Sequence, residues 1–507
     1  KVTAPCHENT INVLTATATE LQEKPSNSTL KSPDLVRIYL KQITDHNYNG
    51  LQLNAVISTP PVEHALTIAT KLDNERVKGH TRGPLHGIPI LLKDNTMTEA
   101  SMQMDTTCGP FAFLGARAKA KKNAHIVDMI LNAGMIIIGK TNLSEWAGFK
   151  GHDLAGCLSA VGGQTKTPYV SGGYIQGDRM IGHSNCCGSS SGSAVGVAAG
   201  FAPLAIGTED NGSIVQPCGR SSLYGLKITV GDVSTEGTSP LSSFTDSLGP
   251  MTRCVEDLAA LLGILLQRDF SSSLTKTWQG LKIGFVNPKI WYIREVLCSF
   301  ADLHYQHGLK LSLFYKVADV LDAMDMIAEG GGKVVQDISL ISYDELQFEG
   351  SDRLDQIWNH NFAHLFASFV QGYVDPPVNS VEDLINFNIR NAKKALPGDF
   401  EKPQGLLEDS IKKETHLTAE KYYEAKTTFR EKARVEEHEK AFREYDVDII
   451  AGPLDSRLGS IAAVAGFPSA TVPIGYAESY NGRAYGLSII AGAGKEKKTC
   501  SIYECME

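Results

Sequence analysis

The sequence predicts an α/β protein in which a mixed, twisted β-sheet is covered by α-helices on both faces. Two observations support this fold class. Short apolar segments of strand length recur along the chain, and stretches with helical periodicity separate them. The bulk composition agrees, because 507 residues with 42% hydrophobic and 21% charged side chains are ordinary for a globular protein. We expect residues 1–507 to form a single domain.

The first half of the chain alternates between the two kinds of segment. Residues 1–80 are predicted to be helical, with an N-cap at Ser32 and Pro33 at the first helical position. Residues 83–92, "GPLHGIPILL", begin with turn residues and continue as a buried strand. Residues 121–133 form a predicted helix that Gly134 ends, and "MIII" follows as a short strand.

The alternation continues with a helix of small residues after Ser191 and strands at 204–208 and 224–230. Residues 408–445 are highly charged, which predicts a long helix with a solvated face. Three further core strands are expected at 446–453, 463–476 and 485–492. The predicted domain therefore has four parts: a helical N-terminal part (1–80), a core (81–266), a variable helical part that shapes the substrate pocket (267–445) and a return to the core (446–507).

Charge and composition exclude several classes of function. A net charge of −9 argues against nucleic-acid binding and against attraction to anionic membranes. No apolar run approaches the length of a membrane span. The ten cysteines contain the adjacent pair Cys186-Cys187 but no CxxC, so neither a metal site nor a dense disulfide scaffold is expected. The start at Lys1 and the sequon at Asn27 slightly favour a secreted protein, and the compartment stays open.

Three local motifs imitate functional sites. The segment from Gly134 to Thr141, "GMIIIGKT", is one residue short of a phosphate-binding loop, and its isoleucines favour an extended strand. Ser273 and Lys276 match S-x-x-K but lack the companion motifs of that class of hydrolase. His360 and His364 are four residues apart without the Glu of H-E-x-x-H, so they are interpreted as packing or surface residues.

A fourth motif supports an alternative function. Ser190 is at the centre of "GSSSG", which matches the G-x-S-x-G elbow of α/β-hydrolase esterases. That elbow requires a buried strand immediately before the serine. The preceding "GYIQGDRMIGHSN" is interrupted by glycines and is predicted to be a loop. An esterase that uses Ser190 therefore remains a second hypothesis.

Two other segments carry residues suited to nucleophilic catalysis. Lys93 directly follows the apolar run of the first predicted core strand, and burial of its amine would lower the pKa and produce a general base. Asp210-Asn211-Gly212-Ser213 is predicted to be a tight turn that presents Ser213 and aligns backbone N–H groups as an oxyanion hole. Taken alone, each segment is more simply a surface lysine or an ordinary turn.

Several longer motifs together resemble the amidase signature family. They are "GPLHGIPILLKDN", "GKTNLSEWAGF", "GGQTKTPY", "CGSSSGSAVGVAAGFAPLAIGTEDNGSIVQP", "YGLKITVGDVS" and "DSLGPMTR". The similarity is densest over 83–262, resumes at 446–492, and is nearest to the peptide-amidase-like and fungal amidase branch. It implies the amidase signature fold and hydrolysis of the C–N bond of a carboxylic or peptide amide.

The resemblance also implies a Ser–Ser–Lys triad. Ser213 matches the nucleophile, Ser189 the bridging serine with a cis peptide bond beside it, and Lys93 the base, while Ser190 would support them by hydrogen bonding. The N–H groups of residues 210–213 would bind the oxyanion, and no metal or cofactor is needed. This chain has Asp210-Asn211 where the branch usually has Thr-Asp, so we expect the Asp210 carboxylate to point away from the oxyanion.

The resemblance leaves one further alternative, the amidase-like subunit of a glutamine-dependent amidotransferase. That role needs a partner subunit and transfer of ammonia to a tRNA-linked acid. The acidic composition and the branch-specific sequences of the motifs "GGQTKTPY" and "CGSSSGS" favour an independent amidase. We therefore expect a monomer or homodimer that takes a small-molecule or peptide amide as its substrate.

Overall fold

The structure is a computed structural model, and it describes residues 11–26, 30–115, 119–152, 154, 156–178, 182–291, 317–342, 345–346, 354–396, 398, 401–478 and 480–506. The sequon at Asn27 lies outside these residues. The helices of the described chain are α1 (Ala18–Ser26), α2 (Ser32–His46), α3 (Val62–Val77), α4 (His125–Asn132), α5 (Ser191–Ala198), α6 (Val215–Arg220), α7 (Val255–Leu266), α8 (317–329), α9 (Leu354–Val370), α10 (Val381–Arg390), α11 (Ala392–Ala395), α12 (Gly405–Asp409), α13 (Ala419–Glu431), α14 (Lys440–Glu444), α15 (Leu458–Ala465) and α16 (Glu496–Met506).

Eleven of the described strands form one sheet. The strands are β1 (Val56–Ser58), β2 (Pro89–Lys93), β3 (Ile136–Thr141), β4 (Leu158–Ser159), β5 (Gly163–Gln164), β6 (Leu204–Glu209), β7 (Tyr224–Lys227), β8 (Ser247–Thr252), β9 (Lys282–Phe285), β10 (Lys333–Val335), β11 (Ile449–Pro453), β12 (Ser469–Tyr476) and β13 (Ala484–Ala491). Their order in the sheet is β1-β3-β2-β6-β8-β7-β12-β13-β11-β9-β10, and β4 and β5 form a separate pair.

The sheet is mixed, as predicted. Strand β2 runs parallel to both β3 and β6, whereas β8 pairs antiparallel with β6 and with β7. At the other end, β12 and β13 form an antiparallel pair, and β9 lies parallel to both β10 and β11. Strands from the last sixty residues therefore complete the sheet that the first half of the chain begins.

The core lies on both faces of this sheet. Every residue of β2, β3 and β6 is buried, and successive side chains of a strand point to opposite faces, so both faces are covered. Helix α5 packs very closely, because its residues are small. A Cβ on Gly192 would lie 2.2 Å from the Ala55 carbonyl oxygen, and one on Gly196 would lie 2.6 Å from Leu91 Cδ1.

Several expectations about single elements need correction. Helix α2 begins at Ser32 itself, so Lys31 occupies the N-cap position and Pro33 is the second helical residue. The Ser32 hydroxyl instead donates to Asp73 at 2.7 Å. The N-terminal part is not wholly helical, since it contributes the edge strand β1. Helix α4 begins only at His125, and it ends before Gly134, which has a φ of +79°.

The C-terminal predictions also differ in detail. Of the segment 463–476, only Ser469–Tyr476 is a strand, because residues up to Ala465 belong to α15. The predicted long helix over 408–445 begins only at Ala419 and continues as α13, a π-helical stretch (Lys432–Glu439) and α14. Before it, α12 ends at Asp409 and a 3₁₀ turn follows at Lys413–Thr415. The solvated face of the charged segment is present, and Tyr422, Ala425 and Phe429 form the buried side of α13.

Candidate active site

The candidate site lies where neighbouring parallel strands end. Lys93 is the last residue of β2 and Glu209 is the last residue of β6, and these two strands pair in parallel. Their carboxyl ends therefore meet at the same edge of the sheet. Ser189 lies just before α5, and Ser213 lies in the loop between β6 and α6. The fold thus brings three distant segments of the chain to one edge.

The three side chains form a continuous hydrogen-bonded chain. Lys93 Nζ lies 2.7 Å from Ser189 Oγ, and Ser189 Oγ lies 2.9 Å from Ser213 Oγ. The residues are 0%, 3% and 6% exposed, in the same order. Exposure increases from the lysine to Ser213, so Ser213 is the most accessible of the three to a substrate.

Thr208 holds the lysine in place. Lys93 Nζ donates to the Thr208 carbonyl oxygen at 3.1 Å and to Thr208 Oγ1 at 2.9 Å. Asn95 Nδ2 donates to the same Oγ1 at 3.0 Å. These contacts fix the amine so that its third direction points to Ser189. No side-chain carboxylate forms an ion pair with Lys93 within the described residues.

The environment of Lys93 favours the neutral amine. Complete burial lowers its pKa to about 7, because the protein interior solvates an ammonium poorly. The charges of Asp210, Glu209 and Cys108 act in the opposite direction but do not restore the ordinary value. A substantial fraction of the lysine is therefore unprotonated near neutral pH, as a general base requires.

Ser190 connects the two halves of the site. Its backbone N–H donates to the Ser213 carbonyl oxygen at 3.0 Å, and its Oγ donates to the Thr208 carbonyl oxygen at 3.0 Å. Residues 182–190 form no strand, so the strand that an α/β-hydrolase elbow requires before Ser190 is absent from this segment. The peptide bond between Gly188 and Ser189 is cis, as the resemblance implies.

Replacement of Ser190 separates this supporting role from a nucleophilic one. Ser190→Ala removes the contact with Thr208 while Ser213 keeps its own hydroxyl. We expect kcat to fall only about 5- to 30-fold, the effect of losing two hydrogen bonds with Thr208 that together contribute about 1–2 kcal/mol. Steady-state hydrolysis of an amide by the purified variant measures this. Complete loss of turnover would instead favour Ser190 as the nucleophile.

The loop that carries Ser213 is built around a glycine and a buried carboxylate. Gly212 has a φ of +84°, a conformation that suits glycine. The Glu209 carboxylate accepts the N–H groups of Ile214 at 2.6 Å and Val215 at 3.0 Å, and it also accepts the Ser469 hydroxyl. Within the described part of the chain, the N–H groups of residues 211–213 donate to no protein acceptor.

Asp210 lies in this loop and is 8% exposed. Its carboxyl group is in hydrogen-bond contact with the carboxyl group of Asp246, in the turn that precedes β8. The side chain of Asp210 therefore contacts another part of the protein, and its orientation relative to the oxyanion stays a prediction.

Sequence reasoning missed four residues that shape the site, namely Asn95, Thr208, Glu209 and Asp246. The first three lie one or two residues from a predicted site residue. Their polar side chains at strand ends are the signal that could have identified them. Asp246 is distant from them in sequence, but it begins "DSLGPMTR", one of the motifs that carry the family resemblance, and that motif is the signal that could have identified it.

A buried ion pair between Asp94 and Lys140 lies at the end of β2. Asp94 Oδ1 lies 3.2 Å from Lys140 Nζ on β3, and both side chains are 0% exposed. Asp94 also accepts the Thr107 N–H at 3.0 Å and the Thr107 hydroxyl. Lys140 donates to the Thr96 carbonyl oxygen at 2.8 Å. These contacts fix the backbone immediately after Lys93.

We expect Asp94→Ala to destabilise the protein strongly. The variant leaves the buried ammonium of Lys140 without its counterion, and breaking such a pair costs about 3–5 kcal/mol of unfolding free energy. The midpoint of urea unfolding, followed by circular dichroism, measures the change. Glu236→Gln is the control, because it breaks the Lys122–Glu236 pair, whose side chains are 71% and 63% exposed, and it should leave the midpoint unchanged.

The other motifs lie elsewhere. The segment "GMIIIGKT" enters β3, which confirms the strand and not a phosphate loop. Ser273 lies in a 3₁₀ turn and donates to the Phe270 carbonyl oxygen. His360 stacks on Tyr422 with ring centroids 4.5 Å apart, which confirms a packing role. In the described chain we find no cluster of metal-ligating side chains, and no helix there is both long and apolar enough to cross a bilayer.

Comparisons with known proteins show which family the chain resembles. The family model described as Amidase matches residues 34–293. A putative amidase of Schizosaccharomyces pombe is 30% identical over 97% of this chain and 85% of its own length. A probable amidase of Arabidopsis thaliana is 32% identical over 95% of this chain and 87% of its own.

The fold gives the same result. The crystal structure of native peptide amidase from Stenotrophomonas maltophilia is similar to this chain with a TM-score of 0.81 and 31% identity, over 97% of this chain and 96% of that one. Sequence and structure thus agree over nearly the whole length, and the esterase hypothesis does not hold. The chain belongs to the amidase family, has the amidase signature fold and is an amide hydrolase.

Proposed function

We propose that this enzyme cleaves its amide substrate through an acyl-enzyme on Ser213, with Ser189 and Lys93 moving the protons. The observation that carries the proposal is the buried chain of contacts from Lys93 Nζ through Ser189 Oγ to Ser213 Oγ, at 2.7 Å and 2.9 Å. Each step is within the distance for direct proton transfer. A serine hydroxyl is a weak nucleophile, and such a relay is one way to activate it.

The state of the lysine decides the direction of transfer. A neutral amine has two N–H groups and one lone pair. Thr208 offers two acceptors, its carbonyl oxygen and its Oγ1, so the two N–H groups can both be satisfied there. The lone pair then points to the Ser189 hydroxyl. In this arrangement Lys93 accepts a proton from Ser189 while Ser189 accepts one from Ser213.

The first half of the reaction forms the ester. Ser213 Oγ attacks the amide carbonyl carbon as its proton passes to Ser189 and the proton of Ser189 passes to Lys93. The tetrahedral intermediate then collapses, the C–N bond breaks, and Ser189 returns a proton to the leaving nitrogen. Lys93 gives its proton back to Ser189. Ammonia or an amine leaves, and the acyl group remains on Ser213.

In the second half of the reaction, water takes the place of the leaving nitrogen and hydrolyses the acyl-enzyme. A water molecule attacks the acyl carbon, and its proton reaches Lys93 through Ser189. When the ester bond breaks, Ser213 recovers its proton by the same route, and the carboxylic acid is released. The enzyme returns to its starting protonation state, and the chain's own residues carry each of these protons.

We assign the oxyanion to the backbone of residues 210–213. Support comes from the N–H groups of residues 211–213, which have no protein acceptor within the described chain, and from Glu209, which occupies the next two N–H groups, those of Ile214 and Val215. Backbone donors do not depend on side-chain identity, so they remain although this chain has Asp210-Asn211 in place of Thr-Asp. Loss of one such donor typically costs about 3–4 kcal/mol of transition-state stabilisation.

The substrate pocket is proposed to lie between this loop and α9. Trp358 on α9 donates to Thr245 Oγ1 at 3.3 Å, beside Asp246. The same helix is anchored in the core, where Phe366 packs edge-on against the buried Trp146 with ring centroids 5.0 Å apart. An aromatic side chain such as Trp358 suits the acyl part of a small-molecule or peptide amide. The variable part of the chain, 267–445, thereby contributes to specificity.

Trapping with hydroxylamine tests the acyl-enzyme and also separates hydrolysis from ammonia transfer. The isolated chain is incubated with a primary amide, and released ammonia and hydroxamate are both measured. We expect ammonia without any partner subunit, and hydroxamate at the expense of acid when hydroxylamine is added. Ser213→Ala is the control and should give neither. If the wild-type chain released ammonia only with a second protein, the amidotransferase-subunit function would be favoured.

A further inference from the structure

Two carboxyl groups lie together at the loop that carries Ser213 (residues 210–213). Strands β6 and β8 pair antiparallel with Glu209 opposite Ser247, so Asp210 and Asp246 are adjacent just beyond this pair. Their carboxyl groups contact each other, although two carboxylates offer only acceptors to each other. Neither forms an ion pair with a Lys, Arg or His side chain within the described chain. A direct contact between two carboxyl groups therefore needs a proton between them, because two carboxyl groups in contact cannot both remain ionised.

The Asp246 carboxyl is held firmly by its own turn. Its Oδ1 accepts the Ser242 N–H at 2.7 Å, and its Oδ2 accepts the Leu241 N–H at 3.0 Å. The backbone closes the same turn, since the N–H of Asp246 donates to the Ser242 carbonyl oxygen at 2.9 Å. The contact with Asp210 thus connects the 210–213 loop to a turn that is fixed by its own hydrogen bonds.

The charged groups around the pair do not neutralise it. Lys93 on β2 faces Asp210, and burial lowers the pKa of that lysine to about 7. Lys227 on β7 also faces Asp210, but burial lowers its pKa to about 8, and its Nζ donates to the Phe467 carbonyl oxygen. Glu209 on β6 adds negative charge, and Tyr422 on α13 lies near Asp246. Burial and the neighbouring Asp210 raise the pKa of Asp246 well above its ordinary value.

We propose that Asp210 and Asp246 form a carboxyl pair that shares one proton and so holds the 210–213 loop in its catalytic geometry, and that loss of this proton limits activity at alkaline pH. The inference rests on the proposed function, because the loop positions Ser213 and the oxyanion donors. Asp210 and Asp246 are positioning residues and do not contact the reacting atoms. When the proton passes to solvent, the two carboxylates repel each other and the loop is no longer tied to the turn.

The proposal gives the pH profile two limbs. Activity rises with pH as Lys93 loses its proton, and it falls at higher pH as the carboxyl pair loses its own. The second limb also acts on Lys93, because a further negative charge near the amine favours its protonated form. A purely structural role for the pair would change the rate at every pH but would not move one limb alone.

The variant Asp210→Asn tests this directly. Both Asp246 oxygens accept backbone N–H groups, so an amide fits at position 210, where its Nδ2 can donate to Asp246 without any shared proton. The reverse variant, Asp246→Asn, turns an NH₂ group toward a backbone N–H and should lower the rate at all pH values. Asp210→Thr supplies a second donor at the same position if Asp210→Asn fails to fold. Asp325→Asn on the exposed side of α8 is the control.

The readout is the rate at which an uncharged alkyl fluorophosphonate inactivates each protein across the pH range. For wild type and Asp325→Asn we expect a rise near neutral pH and a fall at alkaline pH. In Asp210→Asn the fall should disappear or move by at least about one pH unit, the scale of typical shifts in folded proteins. Infrared spectra at neutral pH should show the C=O stretch of a protonated carboxyl in wild type that Asp210→Asn lacks.

The outcomes distinguish this inference from the proposed function. If the alkaline limb is missing in wild type or unchanged in Asp210→Asn, or if no protonated-carboxyl band is lost, the carboxyl pair is ruled out while the triad stands. If instead the reagent fails to modify Ser213, or the rise near neutral pH is missing, the proposed function itself is wrong. The infrared result does not depend on activity, so it decides for the pair in either case.

Discussion

Ser213→Ala is expected to lower kcat for amide hydrolysis by about 10⁴-fold or more, the scale seen when a serine hydrolase loses its nucleophile. The reason is geometric. Ser213 is the most exposed residue of the three, and Ser189, whose Oγ lies 2.9 Å from Ser213 Oγ, is more buried. Removal of the Ser213 hydroxyl leaves no oxygen in position to form the ester, although binding and the oxyanion donors remain.

The measurement is the initial rate of ammonia release, with melting temperature as the test of folding. Ser213→Ala removes a single oxygen atom, so we expect the melting temperature to be nearly unchanged and assign the loss of activity to catalysis. Ser190→Ala is the matched control, since it removes a hydroxyl from the neighbouring segment. Turnover by Ser213→Ala within tenfold of wild type would contradict the assignment of the nucleophile.

Lys93→Met is expected to lower kcat/KM by about 10³-fold, within the range that a general base contributes. Methionine keeps most of the length of the lysine stem, so the buried position stays filled while the proton acceptor is lost. In wild type, activity should rise with pH through about 7, because the active form is the neutral amine and its pKa lies near that value. In Lys93→Met this rise should disappear.

Lys227→Met is the matched control for the lysine. Lys227 is also fully buried, and its pKa is also lowered by burial, to about 8. Its Nζ donates to the Phe467 carbonyl oxygen and contacts neither serine. The acidic limb of the profile should therefore persist in Lys227→Met. If both variants lost the acidic limb of the pH profile equally, that limb would reflect a general effect of removing a buried lysine and not the titration of the catalytic base.

Much of the fold follows from the sequence, because the central strands carry continuous apolar runs. Strands β2 and β6 have parallel neighbours and covered faces, so their sequences are apolar without alternation. The same rule explains the error at 463–465. A short run of buried small residues fits a strand and a buried helix equally well, and only packing decides in favour of α15. The edge strand β1 has three residues and leaves almost no periodic signal.

The site could be predicted in part. Lys93, Ser189 and Ser213 are predicted because several motifs resemble one family in order and content, and the structure places the three side chains within hydrogen-bond distance. Their composition and spacing alone would not have distinguished them from a surface lysine and two loop serines. The contact between Asp210 and Asp246 follows only from the fold, since the antiparallel pairing of β6 with β8 places the two loops at one edge.

The most direct test of the central claim is to locate and time the adduct of a fluorophosphonate by peptide mass mapping. The account predicts a single adduct on Ser213, formed faster as pH rises through about 7 and strongly slowed in Ser189→Ala, which interrupts the path from Lys93. An adduct on Ser190, or a Ser213 rate that ignores both pH and the loss of Ser189, would contradict it.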